Sequence, residues 1–188
     1  MSIPKPLIEI KGATKKYLDI VFDIEVIEND FLLVTGKNGC GKSTLIKMIL
    51  KFVKPDFGKI LNKIKSISYL PEVIDLPPSL SVIDYIRLTS KLKNVSINQK
   101  WLYKLNLPLE KNIGQLSKGN RQKLALYFTL VGNEKLVILD EPLSGLDKDA
   151  RKVLMEMIKE KLGTTTFVVS THNKRTFEKF MTKEIDMS

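Results

Sequence analysis

A glycine-rich stretch near the start of the chain constrains the fold more than any other feature. Residues 36–44 read GKNGCGKST, after the apolar run FLLVT and before the apolar segment LIKMIL. The spacing satisfies G-x-x-x-x-G-K-[ST], in which glycines let backbone N–H groups surround an anion and the following helix adds its positive dipole end. A flexible strand-to-helix turn is the alternative. The strand before the stretch and the helix after it favour a phosphate-binding loop.

The motif assigns separate tasks to its side chains. We expect Lys42 to reach the β- and γ-phosphates of a nucleotide and the Ser43 hydroxyl to bind Mg²⁺. Cys40 is the only cysteine, so an intrachain disulfide is excluded. The other loop residues predicted to contact the nucleotide are Gly36, Lys37, Asn38, Gly39, Cys40, Gly41 and Thr44.

Composition places the chain among ordinary globular proteins. Its 188 residues suffice for one well-buried domain, and 43% are hydrophobic against 28% charged. No apolar run approaches the roughly 18 residues of a membrane span. The N-terminal MSIPKPLIEI lacks the basic-then-apolar order of a secretory signal, which predicts a cytoplasmic location. The net charge of +10 permits nucleic acid, an anionic membrane or an acidic partner, but the lysines are dispersed.

Apolar patterning predicts alternating strands and helices, hence a single α/β domain over residues 1–188 with a mostly parallel core sheet and an antiparallel edge. The amphipathic segments 81–93 and 98–106 fall in a proline-punctuated stretch, which predicts a helical subdomain inserted at about 73–116. PDFG at 55–58 predicts a turn. The predicted strands are 8–10, 20–27, 31–35, 65–70, 136–140 and 164–170, and the other predicted helices are 43–52, 118–131, 148–161 and 174–183.

A second motif, LVILDEP at 136–142, is an apolar strand that ends in two adjacent acids. We expect Asp140 to hold Mg²⁺, through water, beside the phosphate loop. Glu141 is then the group that orients and deprotonates an attacking water. Two acids that merely end a strand in solvent are the alternative, which the phosphate loop makes weak.

With these motifs the chain resembles, over nearly its whole length, the nucleotide-binding domain of ATP-binding cassette (ABC) ATPases, which are P-loop NTPases. LSKGNRQ at 116–122 stands upstream of the acidic strand, where that family carries its signature. The resemblance implies ATP and Mg²⁺ as cofactors and a head-to-tail pair of cassettes. Ser117, the Gly119 backbone and the helix N-terminus would then contact the γ-phosphate bound to the opposite subunit.

Further positions match the family individually. Tyr17 resembles the aromatic residue that stacks on adenine, with a half-buried strand-end tyrosine as the alternative. SGLD at 144–147 is similar to the loop that links the two sites, and His172 stands where the family has a histidine that contacts the γ-phosphate. Glu72 stands where the family usually has glutamine. A glutamate there would contact Mg²⁺ or the lytic water as an acceptor only.

The leading hypothesis is an ATP-hydrolysing subunit of a membrane transporter, with Glu141, His172 and Lys42 as catalytic residues. YLPE and LSKG resemble the ABC-2 class, which implies export, and the helical subdomain is reduced for the family. The implied partners are transmembrane permease subunits and a second cassette, identical or different. The protein would then lie on the cytoplasmic face of the cell membrane, and no stable nucleic acid partner is expected. A soluble ABC ATPase that acts on ribosomes or nucleic acid stays open, as does a regulator that barely hydrolyses ATP, which Glu72 permits.

Overall fold

The computed structural model describes residues 5–188. The N-terminal segment that was judged not to be a secretory signal therefore lies partly, at residues 1–4, outside the described residues. The strands are β1 Ile8–Thr14, β2 Phe22–Val26, β3 Phe31–Thr35, β4 Phe57–Asn62, β5 Ile67–Leu70, β6 Leu136–Asp140, β7 Thr166–Thr171 and β8 Lys183–Asp186. The helices are α1 Lys42–Ile49, α2 Val82–Lys93, α3 Gln99–Leu105, α4 Lys118–Val131, α5 Lys148–Lys161 and α6 Lys174–Phe177, with 3₁₀ turns at Ile113–Gln115 and Glu178–Phe180.

A parallel sheet of five strands, in the order β5-β6-β7-β3-β8, forms the centre of the fold. Every residue of β3, β6 and β7 is buried, because one face of these strands packs against α1, β1 and β2 and the other against the remaining helices. Such strands read as unbroken apolar runs rather than as alternating patterns, which is why the sequence revealed them. In a parallel sheet all carboxyl ends lie at one edge, so the segments after β3, β6 and β7 meet there.

A second sheet is antiparallel, with the order β2-β1-β4. The predicted α/β class with a parallel core and antiparallel strands is therefore confirmed. A turn was predicted at 55–58, but strand β4, which was not predicted, begins within that stretch at Phe57. Strand β4 lies at the sheet edge with Phe57 and Leu61 exposed, so its sequence FGKILN carries little apolar alternation. Backbone pairing with β1 decides its conformation.

The helix predicted over 174–183 is also wrong. Helix α6 ends at Phe177, a 3₁₀ turn follows, and residues 183–186 form β8 beside β3. Lysine and glutamate give the segment KEID little strand propensity. Contacts with neighbouring residues in the fold stabilise it as a strand instead. Lys183 Nζ lies 2.9 Å from Asp30 Oδ2, and Thr35 donates to Glu184 Oε1 at 2.9 Å. The other predicted elements are present, with ends that differ by a few residues.

Helices α2 and α3 lie within the stretch predicted as a helical insertion. Side-chain caps begin both: Ser81 accepts from the backbone N–H of Asp84, and Asn98 accepts from that of Trp101. Left-handed asparagines, Asn94 and Asn106, end them. The bounds 73–116 for an inserted subdomain stay a prediction.

Lysine 93, at the end of α2, ties this stretch to the core. Its Nζ donates to Ser68 Oγ at 3.1 Å, to the Phe128 carbonyl at 2.7 Å and to Glu134 Oε1 at 2.7 Å. These partners belong to β5, α4 and the loop before β6, so one ammonium joins three parts of the core. Across residues 5–188, no helix has both the length and the apolar character needed to cross a membrane.

Candidate nucleotide-binding site

The loop between β3 and α1 has a backbone that glycine alone adopts easily. Gly36 has a φ of 144° and Gly41, directly before α1, a φ of 107°. A Cβ atom on Gly41 would come within 2.7 Å of Leu18 Cδ2, the end of a flexible side chain, so the positive φ rather than space favours glycine here. The loop thus delivers the first residues of α1, with their free N–H groups, to the carboxyl edge of the parallel sheet.

A cavity of about 310 Å³ opens at this edge. Glu72, after β5, and Glu141, after β6, close its far side. The loop and helix residues that line it are Asn38, Gly39, Gly41, Lys42, Ser43 and Thr44. Most of the predicted phosphate-binding residues therefore lie together around one cavity.

Three predicted loop residues do not line this cavity. The Gly36 and Lys37 carbonyls instead accept hydrogen bonds from Lys42. Cys40 is half-buried, and its Sγ lies 2.7 Å from where a Cβ on Gly36 would stand. Cys40 packs against the hydrophobic cluster that contains α1, and its contact with the nucleotide stays a prediction.

Lysine 42 is 6% exposed and has mixed partners. Its Nζ donates to the Gly36 carbonyl at 2.9 Å and the Lys37 carbonyl at 3.1 Å, and lies 3.4 Å from Glu141 Oε1. A buried ammonium needs such partners, and phosphate oxygens would form stronger, charge-assisted bonds with it than the two carbonyls do.

Glutamate 141 is held by its backbone and by one side-chain oxygen. Its φ of 47° is left-handed, and its N–H donates to Ser170 at both the carbonyl (3.2 Å) and Oγ (3.1 Å). Its Oε2 lies 2.9 Å from His172 Nδ1. Within the described part of the chain, its buried Oε1 has the ion pair with Lys42 but no hydrogen-bond partner. A buried carboxylate oxygen in that condition, at the wall of a cavity, suits the binding of a water molecule.

Negative charge is concentrated beside Glu141. Asp140 is buried and accepts a hydrogen bond from the Ser170 hydroxyl. Burial, followed by the charges of Asp140 and Glu72, raises the pKa of Tyr69 on β5 to about 12. The oxygen donors Ser43, Asp140 and Glu72 are of the kind that Mg²⁺ prefers. No group of three or more His, Cys, Asp or Glu side chains within residues 5–188 is arranged to hold a metal ion.

Histidine 172 and tyrosine 17 lie at the rim of the site. The His172 side chain, just after β7, is 65% exposed and lines a neighbouring cavity of about 260 Å³ together with Glu141. Tyr17 lies between β1 and β2, is 67% exposed and does not line either cavity. The alternative of a half-buried structural tyrosine is wrong, since most of the side chain is in solvent.

This exposure makes Tyr17 testable as a base-stacking residue. Replacing Tyr17 by Ala is expected to weaken ATP binding about fivefold, because stacking at an exposed site contributes about 1 kcal/mol. Tyr17→Phe keeps the ring and is the matched control, with unchanged affinity by titration calorimetry. Binding of inorganic triphosphate, which has no base, should be the same in all three proteins. Equal ATP affinity in the Ala variant would remove Tyr17 from the site.

Ser117 and Gly119 do not line the cavity at the phosphate loop. Ser117 is exposed and caps α4 by accepting from the Asn120 N–H. Gly119 faces the loop after β6, where a Cβ on it would come within 2.8 Å of the Gly145 carbonyl. Asp147 begins α5 and lies 3.1 Å from Lys123. The Ala150 N–H, followed by the Lys123 ammonium, holds the pKa of Asp147 below its usual range.

Sequence reasoning missed three polar residues at the site. Ser170 holds both Asp140 and Glu141, Arg151 donates to the Leu146 carbonyl at 3.1 Å, and Gln122 donates to the Pro142 carbonyl at 3.2 Å. The only local signal was polarity in otherwise apolar surroundings: Ser170 ends the apolar run of β7, and Gln122 lies in the buried part of α4.

Comparison with known proteins gives a consistent result. The sequence profile described as ABC transporter matches residues 21–144. The spermidine/putrescine import ATP-binding protein PotA of Legionella pneumophila (strain Paris) is 31% identical over 194 residues, which cover 90% of this chain and 53% of that protein. The chain therefore spans about half the length of this curated relative.

Two solved structures match over nearly the whole chain. A putative ABC transporter ATP-binding protein from Pyrococcus furiosus has a TM-score of 0.76 and 27% identity, covering 96% of both chains. The archaeal ribosome recycling factor aABCE1, solved with the ribosomal stalk protein aP1, has a TM-score of 0.84 and 23% identity, covering 99% of this chain and 38% of that one. At that identity the second match shows a shared fold alone.

Proposed function

This chain belongs to the ABC transporter family of ATP-binding domains, and from that premise we propose that it binds and hydrolyses ATP to drive a membrane transporter. The observation that carries the proposal is the pairing of Lys42 with Glu141 across the cavity at the phosphate loop. A buried cation for phosphate and a buried carboxylate whose Oε1 has an ion pair but no hydrogen bond are the two groups that hydrolysis by water requires.

The proposed mechanism follows from these contacts. Phosphates in the loop take Lys42 from the Gly36 and Lys37 carbonyls, which releases the ammonium from Glu141. Glu141 Oε1 then orients a water molecule and accepts its proton, while His172 holds Oε2 and contacts the γ-phosphate. Mg²⁺, held by Ser43, Asp140 and Glu72, would neutralise charge on the phosphates.

We further propose that two cassettes, identical or different, complete each other's sites. Ser117 and the α4 N-terminus form an exposed anion-binding surface that the cavity of the same chain does not use. A head-to-tail pair would bring this surface to the nucleotide of the partner. Transmembrane permease subunits are the proposed further partners, which implies a peripheral position on the cytoplasmic face of the cell membrane, without a stable nucleic acid partner.

Export is the proposed direction, on the resemblance of YLPE and LSKG to ABC-2 exporters. The relative PotA is named as an import protein, so direction needs its own measurement. Vesicles that contain the complete transporter, with ATP supplied on the cassette side, separate the two directions. Movement of substrate away from that side supports export, and movement toward it contradicts export.

The experiment for the function itself is an affinity capture. Tagged protein with Glu141→Gln, which should trap bound ATP, is incubated with detergent-solubilised host membranes, with and without ATP. Recovery of a polytopic membrane protein by mass spectrometry supports the transporter. Recovery of ribosomes or nucleic acid without a membrane protein supports the soluble alternative, which the +10 charge permits. Turnover of the purified wild type, measured alone and with the captured partner, tests the third candidate, a regulator that barely hydrolyses ATP.

A further inference from the structure

We propose that Gln122 is a positioning residue for Glu141: it holds the carbonyl of Pro142, the residue after Glu141, and joins it to helix α4, which Ser117 caps. The proposal deepens the proposed ATPase function and rests on it for its effect on turnover. The physical link between Gln122 and Glu141, by contrast, does not depend on any activity.

Glutamine 122 is an unusual residue for its place. It is 2% exposed and lies on α4 just before the apolar stretch that fills the core. Burial of an amide costs free energy unless it is hydrogen-bonded. Its Nε2 donates to the Pro142 carbonyl at 3.2 Å, a bond that crosses from the helix to the loop after β6.

The acceptor is the first carbonyl after Glu141, and Glu141 has a backbone that needs support. A left-handed φ such as its 47° costs roughly 1–2 kcal/mol in a residue with a Cβ. Ser170 holds the N–H side of Glu141, and the Ser144 N–H donates to the Glu141 carbonyl at 3.1 Å to close a turn. Gln122 adds a hydrogen bond from α4 to the next residue, Pro142, so Glu141 is fixed by β7 at its N–H and by α4 through its neighbour.

Two further contacts make α4 and the loop over 142–147 move together. Gly119 packs so closely on the Gly145 carbonyl that a Cβ would come within 2.8 Å of it, and Lys123 pairs with Asp147 at 3.1 Å. These contacts flank Gln122 along the helix. A displacement of the Ser117 end of α4 is therefore transmitted to the Pro142 peptide, and through it to the angle of the Glu141 side chain.

The test is Gln122→Met, which keeps the side-chain length and removes the donor. Misplacement of a catalytic group by less than about 1 Å lowers rates by about 10- to 100-fold, so turnover should fall by that factor with ATP affinity unchanged. The matched control is Thr129→Val. Thr129 is also buried on α4, but its hydroxyl donates to the Ala125 carbonyl of the same helix, so its loss should leave turnover unchanged.

Hydrogen–deuterium exchange gives a readout that is independent of activity. Gln122→Met should speed exchange of the Glu141 and Ser144 amides, and Thr129→Val should not. Unchanged exchange at these amides would overturn the proposal, as would wild-type turnover or a fall in turnover that Thr129→Val reproduces. Faster exchange in a protein whose wild type does not hydrolyse ATP would contradict the proposed function and support the positioning link.

Discussion

Replacing Glu141 by Gln is expected to lower ATP turnover by about 10²- to 10⁴-fold while ATP affinity changes little. The amide has the shape of the carboxylate and can keep the contact with His172, but it cannot accept a proton from water. The structure makes this substitution specific, because Glu141 Oε1 is buried beside the phosphate loop without a hydrogen-bond partner in the described chain. Loss of the negative charge near Lys42 also leaves that ammonium free for phosphate.

Steady-state phosphate release and ATP titration measure the two effects separately. Glu156→Gln is the matched control, since Glu156 is a half-exposed carboxylate on α5 that pairs with Lys104 and does not line the cavity. That variant should have wild-type turnover. Wild-type turnover in Glu141→Gln would remove Glu141 from the role of base, and a matching loss of ATP affinity would mean that the carboxylate serves binding rather than catalysis.

Replacing Lys42 by Ala is expected to weaken ATP binding by about 100-fold or more. Hydrogen bonds to charged groups contribute about 1.5–3 kcal/mol each, and Lys42 is expected to form them with both the β- and the γ-phosphate. The ammonium already lies at the loop, where its present carbonyl partners are weaker acceptors than phosphate oxygens. The same substitution leaves Glu141 without a nearby cation, so turnover should fall further than affinity.

Titration calorimetry with ATP measures this effect, and Lys47→Ala is the matched control. Lys47 is an exposed lysine on the same helix and does not line the cavity, so its removal subtracts the same charge from the protein. Thermal unfolding of both variants separates a loss of binding from a loss of fold. Wild-type affinity in a folded Lys42→Ala protein would contradict the assignment of the loop as the phosphate site.

Sequence patterns predicted the structure correctly wherever the residues that determine it are neighbours in the chain. The phosphate loop is such a case, because glycine spacing and the flanking apolar runs fix its backbone and the helix after it. Strands β3, β6 and β7 are others, since burial on both faces requires continuous apolar sequence. The sequence by itself therefore determined the α/β class, the succession of the central strands and helices along the chain, and the residues that line the cavity.

Only the tertiary structure revealed the edge strands of the two sheets and the contacts between the sequence motifs. Strands β4 and β8 are specified by backbone pairing with β1 and β3, which residues distant in the chain supply. The meeting of Lys42 with Glu141, and the hold of Ser170 and Gln122 on either side of Glu141, likewise join separate segments. A sequence pattern reports periodicity within one segment, whereas a catalytic geometry depends on how several segments pack. The motifs identified the candidate site residues, and packing at the carboxyl edge of the parallel sheet determined which of these side chains contact one another.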